Sequence, residues 1–169
     1  MSTEKMLPKA IICDLDGTCN IYQHYIQSKR KNWKAFYKAL GDVVHEFCRD
    51  IVMMYKQRGD TIVLVTGRPE EYKPPTEEWL SAHGVEYDLL LMRKTGDSRK
   101  DFIVKQELYE QYIKSKYDIL FVLEDRAQVV KMWREQGLTC LQVAERQFLR
   151  LSRLYDLLGF DHTHLVNFA

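Results

Sequence analysis

Ala10-Ile11-Ile12-Cys13-Asp14-Leu15-Asp16-Gly17-Thr18 joins a four-residue apolar run to two carboxylates one residue apart and a glycine. So short an apolar run, closed by Asp and Gly, has the length and boundary of a strand buried on both faces. Two carboxylates at its end can share a cation while one attacks and the other moves a proton. Gly17 permits a sharp turn without a Cβ penalty. The plainer alternative is that Asp and Gly merely open a polar turn, and the choice depends on what lies further along the chain.

Apolar runs of the same kind recur at 61–65, 88–92, 119–123 and 139–143, and each predicts a strand. Between them Val44, Phe47, Cys48, Ile51, Val52 and Tyr55 follow the i, i+3, i+4, i+7 spacing of a helix with one apolar face. Strand and helix in alternation predict an α/β fold with a mostly parallel sheet covered on both faces. Gly59 and Gly137 stand where helix C-termini want a left-handed residue, and Thr76 before Glu77 and Glu78 reads as an N-cap. Asn20 to Lys31 and Pro69 to Pro75 read as irregular segments at carboxyl ends of strands, where open α/β sheets place their ligand crevice.

The chain has 169 residues, 46% of them hydrophobic, enough for one domain with a substantial core. Lys and Arg number 25 against 24 Asp and Glu, so any basic surface must be local. Cys13, Cys19, Cys48 and Cys140 show no metal-ligand spacing and read as reduced thiols. With no apolar run near the roughly 20 residues that span a bilayer and no signal-peptide core, the expectation is a cytoplasmic protein without membrane contact. A P-loop is absent, which argues against a phosphate-donating kinase module of that type.

Three further stretches place chemistry at element ends. Thr66-Gly67-Arg68 follows the second long strand, and its arginine can grip phosphate oxygens in a bidentate manner. Gly96-Asp97-Ser98-Arg99-Lys100-Asp101 opens a helix capped by Asp97 or Ser98, with Asp101 and Lys105 on one face at i and i+4. Glu124-Asp125-Arg126 closes the apolar run 119–123 with hard oxygen ligands suited to Mg²⁺. Singly, each has an ordinary reading as a turn or a surface ion pair.

Together, in this order, the four stretches resemble the haloacid dehalogenase superfamily, beginning with its D-x-D-G-T run at Asp14 to Thr18. That resemblance implies a three-layer Rossmann-like fold with only a small cap. It implies Asp14 as nucleophile, Asp16 as general acid and base, Thr66 as a hydroxyl bonding the transferring phosphate, and Gly67 beside it. Lys105 would offset charge on nucleophile and phosphate, with Asp101 holding its ammonium and Lys100 as the competitor. Mg²⁺ would be held by Asp14, Asp16 and Asp125, with Glu124 acting through water or by orientation; many relatives have two aspartates there.

Residues 96–105, 125–134 and 140–144 are also similar to the 3′-phosphatase domain of phage-type polynucleotide kinase-phosphatase, and the similarity covers 8–148. The implied activity is removal of 3′-phosphate, in some members 2′,3′-cyclic phosphate, from nucleic-acid ends by a stand-alone phosphatase. A phosphate-contacting arginine in that family corresponds best to Arg30, with Lys31 as the alternative. Basic residues Lys29, Arg30, Lys31 and Lys34, with Arg93, Lys94, Arg99 and Lys100, would flank the site and hold adjacent phosphodiesters. Tyr22, Tyr25, Trp33 and Tyr72 would offer a stacking face. Residues 149–169 read as a C-terminal helical extension of one 1–169 domain, packing on the core or forming a dimer face; the pair His162 and His164 reads as unliganded. The competing functions are a small-molecule or nucleotide phosphatase and a catalytically idle nucleic-acid end-binding module. The intact Asp14 and Asp16 pair argues against the idle module.

Overall fold

The computed structural model describes residues 6–21 and 43–143. Strand β1 (Lys9–Cys13) lies at the centre of a five-stranded sheet. Its neighbours are β4 (Thr61–Pro69) and β6 (Asp118–Glu124), with β5 (Leu89–Arg93) and β7 (Cys140–Gln142) at the edges, in the order β5-β4-β1-β6-β7. All four pairings are parallel. A separate antiparallel ribbon joins β2 (Asn20–Ile21) to β3 (Val43–Val44).

Because successive side chains of a strand point to opposite faces, a central strand covered on both sides must be apolar at every position. In β1, Ala10 and Ile12 enter one core with Tyr109, Val130 and Trp133. Ile11 and Cys13 enter the other with Cys48, Val52, Trp79 and Leu80. Helices α1 (Glu46–Gln57) and α2 (Lys73–Ala82) therefore cover one face, and α3 (Asp101–Tyr112) and α4 (Ala127–Glu135) the other. Gly59 and Gly137 follow α1 and α4 with φ of 90° and 81°, as helix-ending positions require. The architecture is the doubly wound α/β fold that the alternation predicts.

From β1 the chain winds outward through β4 and β5, then returns to the other side of β1 as β6 and β7. The winding therefore reverses between β1 and β6, and the crevice at their carboxyl ends is where such sheets bind ligands. Asp14 and the Glu124-Asp125 pair stand at those two ends.

Several local expectations need correction. Val44 pairs in β3 instead of starting the helix, and Phe47 is 65% exposed although its spacing matched the apolar face. Residues 70–75 are ordered: a 3-10 turn (Glu70–Tyr72) runs into α2, whose first turn accepts Pro74 and Pro75 because their missing N–H groups have no partner there. Thr76 is thus inside the helix, and its hydroxyl donates to the Tyr72 carbonyl (2.7 Å). Neither Asp97 nor Ser98 caps α3; Lys100 occupies the cap position without a side-chain bond. Asp97 instead accepts from the Arg99 N–H (2.9 Å), a turn of its own. The irregular segment expected at 20–31 begins as β2, and 22–42 and 144–169 lie outside the described residues. Among the described residues no helix is long and apolar enough to cross a membrane, and the four cysteines are buried free thiols.

Candidate active site

Asp14 leaves the end of β1 with its N–H donated to the Leu123 carbonyl of β6 (3.0 Å), so the sheet itself sets its position. Its carboxylate is buried. Oδ1 accepts from Lys105 Nζ (2.6 Å) and Oδ2 from the Thr18 hydroxyl (3.2 Å). Lys105, fully buried on α3, also donates to Glu124 Oε2 (2.7 Å). The other Glu124 oxygen accepts the backbone N–H groups of Asp125 and Arg126 (3.2 Å each). Lys105 therefore bridges the ends of β1 and β6.

Asp14, Glu124 and Asp125 each offer a carboxylate oxygen within 4.8 Å of the others. Burial, reinforced by the Glu124 charge, pushes the Asp14 carboxyl up to about 8, with Lys105 pulling the other way. Burial likewise raises Glu124. Lys105 would lose charge on burial, but Asp14, Glu124 and Asp101 more than reverse that and hold it well above its ordinary range. Asp14, Glu124 and Asp125 gather three hard carboxylate oxygens beside the single ammonium of Lys105, a donor set that fits Mg²⁺.

The carboxylate of Asp16 is not in that group. Arg68 Nε donates to both of its oxygens (2.9 Å each) and Nη2 to Oδ1 (2.6 Å). Arg68, expected on phosphate, is thus engaged by Asp16 and, through Nη1, by the Thr76 hydroxyl (3.4 Å). An irregularity in β4 produces this: Thr66 pairs with Met92 and Pro69 with Arg93, leaving Gly67 and Arg68 as extra residues against the neighbour. Such bulges re-aim side chains. Thr66 is buried, and its hydroxyl accepts the Arg68 N–H (3.2 Å).

Asp101 is ion-paired with Lys105, as the i and i+4 spacing predicts, and has further partners. It lies 3.8 Å from Lys105, but its closer partners are Arg93 Nη2 (3.0 Å) and Arg126 Nη1 (2.9 Å). Burial would raise its carboxyl; Lys105, Arg126 and Arg93 together hold it below the ordinary carboxylate value. Gly67 fits here because it has no side chain: a Cβ would meet Asp101 Oδ1 at 2.2 Å. Arg93 donates as well to the carbonyls of Gly67, Asp97 and Arg99, so it braces the loop before α3 instead of facing solvent.

The expected nucleic-acid surface is only partly described. Arg99 is paired with Asp97 and Glu107, while Lys94 and Lys100 stay exposed. Tyr72 is buried and cannot be a stacking face. Arg30, Lys29, Lys31, Lys34, Tyr22, Tyr25 and Trp33 lie outside the described residues. Sequence reasoning missed Arg126 and Thr76 as parts of the site. Arg126 was signalled only by its place directly after the acidic pair, and Thr76 read as a cap.

Residues 8–148 match the sequence profile of the polynucleotide kinase PNKP phosphatase domain. A putative bifunctional polynucleotide kinase/RNA ligase of Autographa californica nuclear polyhedrosis virus is 30% identical over 134 residues, 76% of this chain and 18% of that protein. A chain in the solved Pnkp1/Rnl/Hen1 complex is 42% identical with a TM-score of 0.76, over 86% of this chain and 49% of that one. This chain thus spans less than half of either relative. A class C acid phosphatase from Bacillus anthracis, 14% identical with a TM-score of 0.64 over 84% of this chain and 68% of its own, shares the fold. With the profile matched across most of its length, the chain belongs to the family of polynucleotide kinase PNKP phosphatase domains, within the haloacid dehalogenase superfamily.

Proposed function

We propose that this protein is a Mg²⁺-dependent phosphomonoesterase that removes 3′-phosphate from nucleic-acid ends through an aspartyl-phosphate on Asp14. The observation that carries the reading is Lys105, bonded to both Asp14 and Glu124 beside Asp125 at the switch point of the sheet. An attacking carboxylate and a phosphate dianion repel one another, and a buried ammonium beside the nucleophile offsets that repulsion without reorganising. Asp14, Glu124 and Asp125 would hold Mg²⁺, which when bound supplies further positive charge at the reacting phosphate.

In the first step an Asp14 carboxylate oxygen bonds to phosphorus as the phosphorus–ester oxygen bond breaks. The departing oxygen takes the electron pair and a proton from the Asp16 carboxyl. Water then attacks phosphorus, giving its proton back to Asp16. The Asp14–phosphorus bond breaks, restoring the Asp14 carboxylate and releasing inorganic phosphate. Thr66 and Lys105 would steady the phosphate.

Support for a polynucleotide substrate comes from the family and from two similar proteins, one named for polynucleotide kinase and RNA ligase activities and one solved in the Pnkp1/Rnl/Hen1 RNA repair complex. They make RNA the first substrate to test, with 2′,3′-cyclic phosphate beside it. The test is phosphate release from a 3′-phosphorylated oligonucleotide, a 5′-phosphorylated one and a 3′-mononucleotide, each with chelator and with Mg²⁺ restored. Release should require Mg²⁺ and favour the 3′-phosphorylated oligonucleotide. Equal rates on all three would reject the substrate assignment, and full activity in chelator would reject the metal.

A further inference from the structure

Arg68 is nine-tenths or more buried, and its guanidinium points at Asp16 from a strand that is not Asp16's own. Three N–H contacts of 2.6 to 2.9 Å reach the Asp16 carboxylate, with Oδ1 accepting two and Oδ2 one. Behind the guanidinium stands Thr76, fully buried in the first turn of α2. Its hydroxyl has one proton, and that proton is committed to the Tyr72 carbonyl at 2.7 Å. The oxygen can therefore only accept from Arg68, which it does at 3.4 Å, a long contact. The polarity of the chain of contacts is thus set: Tyr72 carbonyl, Thr76 hydroxyl, Arg68 guanidinium, Asp16 carboxylate.

We propose that Arg68 and Thr76 are positioning residues for Asp16, holding its carboxyl group where, once protonated, it can pass a proton to the departing oxygen, and that Arg68 does not serve as a ligand of the transferring phosphate. The inference rests on the reaction proposed above. A planar, bidentate donor fixes both the place and the plane of a carboxylate, which a single ammonium cannot do. Thr76 restricts the guanidinium in turn. Because its contact is long, its share is smaller than that of Arg68.

The two roles separate by leaving group. A sugar alkoxide needs a proton as it departs, whereas nitrophenolate leaves without one. In kcat/KM, which reports steps up to departure of the leaving group, loss of a phosphate ligand slows both substrates alike while loss of a positioned acid slows the alkoxide ester. The later water attack, where Asp16 is the base, is common to both and enters kcat. The experiment measures kcat/KM on a 3′-phosphorylated oligonucleotide and on p-nitrophenyl phosphate for wild type, Arg68→Lys, Thr76→Val and Thr76→Ser. Arg68→Lys should fall about tenfold or more on the oligonucleotide and far less on the nitrophenyl ester. Thr76→Val should show the same selectivity at a few-fold loss, and Thr76→Ser, which keeps the hydroxyl, should restore it. Equal losses on both substrates, or a Thr76→Ser variant as impaired as Thr76→Val, would overturn the proposal. Wild type that hydrolyses nitrophenyl phosphate but not the oligonucleotide would reject the substrate reading instead, and the same comparison is then made with glycerol phosphate as the alkoxide ester.

Discussion

Two charged networks flank the start of α3, built from the same residue types at similar distances. On the outer side Arg99 reaches Asp97 at 2.7 Å and Glu107 at 2.5 Å, with the arginine side chain 48% exposed and Glu107 55%. On the inner side Asp101 is held by Arg93 at 3.0 Å and Arg126 at 2.9 Å, with the Asp101 side chain 11% exposed. The outer contacts are the shorter, so length is not what makes a network matter. What differs is the alternative open to each group when a partner is lost: water replaces the partner readily outside, and much less so inside, where the Asp101 and Arg93 side chains are 11% and 12% exposed. The outer network should therefore be dispensable. The inner one, which abuts Gly67 and lies 3.8 Å from Lys105, joins the folding of the loop to the chemistry of the site.

The largest expected effect lies at the centre of the inner side. Asp14→Asn should cut phosphate release by roughly a thousandfold or more while leaving the folded state in place. Phosphate release and circular dichroism on one preparation check both halves, and appreciable turnover by the variant would show that Asp14 is not the nucleophile. Next comes Asp101→Ala, which leaves Arg93 and Arg126 facing each other without their carboxylate. It should destabilise the fold by about 3–5 kcal/mol, read as a shift in urea midpoint.

The same pair of proteins tests the electrostatics by pH. The folded Asp101 carboxyl lies below its ordinary value. Its contribution is therefore complete at neutral pH and is lost as acid protonates it, from about pH 4 downward. The stability gap between wild type and Asp101→Ala should narrow on acidification through that range. A gap that stayed constant, or widened, would mean that the ion pairs are not what Asp101 contributes.

A smaller effect is expected at Gly67→Ala, where the new methyl group meets Asp101 Oδ1 at 2.2 Å. The carboxylate must shift, at a cost of about 1–3 kcal/mol, and activity should drop with it because Asp101 lies beside Lys105. An unchanged urea midpoint would show the approach to be looser than the geometry indicates. Last, Arg99→Ala should leave both midpoint and turnover unchanged within error, since many exposed ion pairs contribute nothing measurable. A clear loss there would erase the contrast between the two networks.

The strands were legible because burial on both faces demands an apolar residue at every position, which sequence records directly in Ile11, Ile12 and the runs at 62–65 and 121–123. The helix over 46–57 was less legible at its start. Val44 and Phe47 continue the helical spacing, yet one belongs to β3 and the other points outward. Periodicity counts apolar residues without knowing which face the neighbouring element reaches.

For the site, the residue types and their order were in the sequence by itself. Asp14 at the end of β1, Lys105 on α3 and the acidic pair at the end of β6 follow from short local patterns, each a strand end or a helix face. Tertiary structure alone decided who partners whom. Lys105 bonds Asp14 across 91 positions and Arg68 bonds Asp16 across 52, separations at which no local rule operates. Two extra residues in β4 turn Arg68 toward Asp16, and a glycine without a Cβ admits Asp101. Those outcomes depend on register and close packing between elements. A single sequence shows which side chains are available at a site, and only the folded sheet brings them within hydrogen-bonding distance.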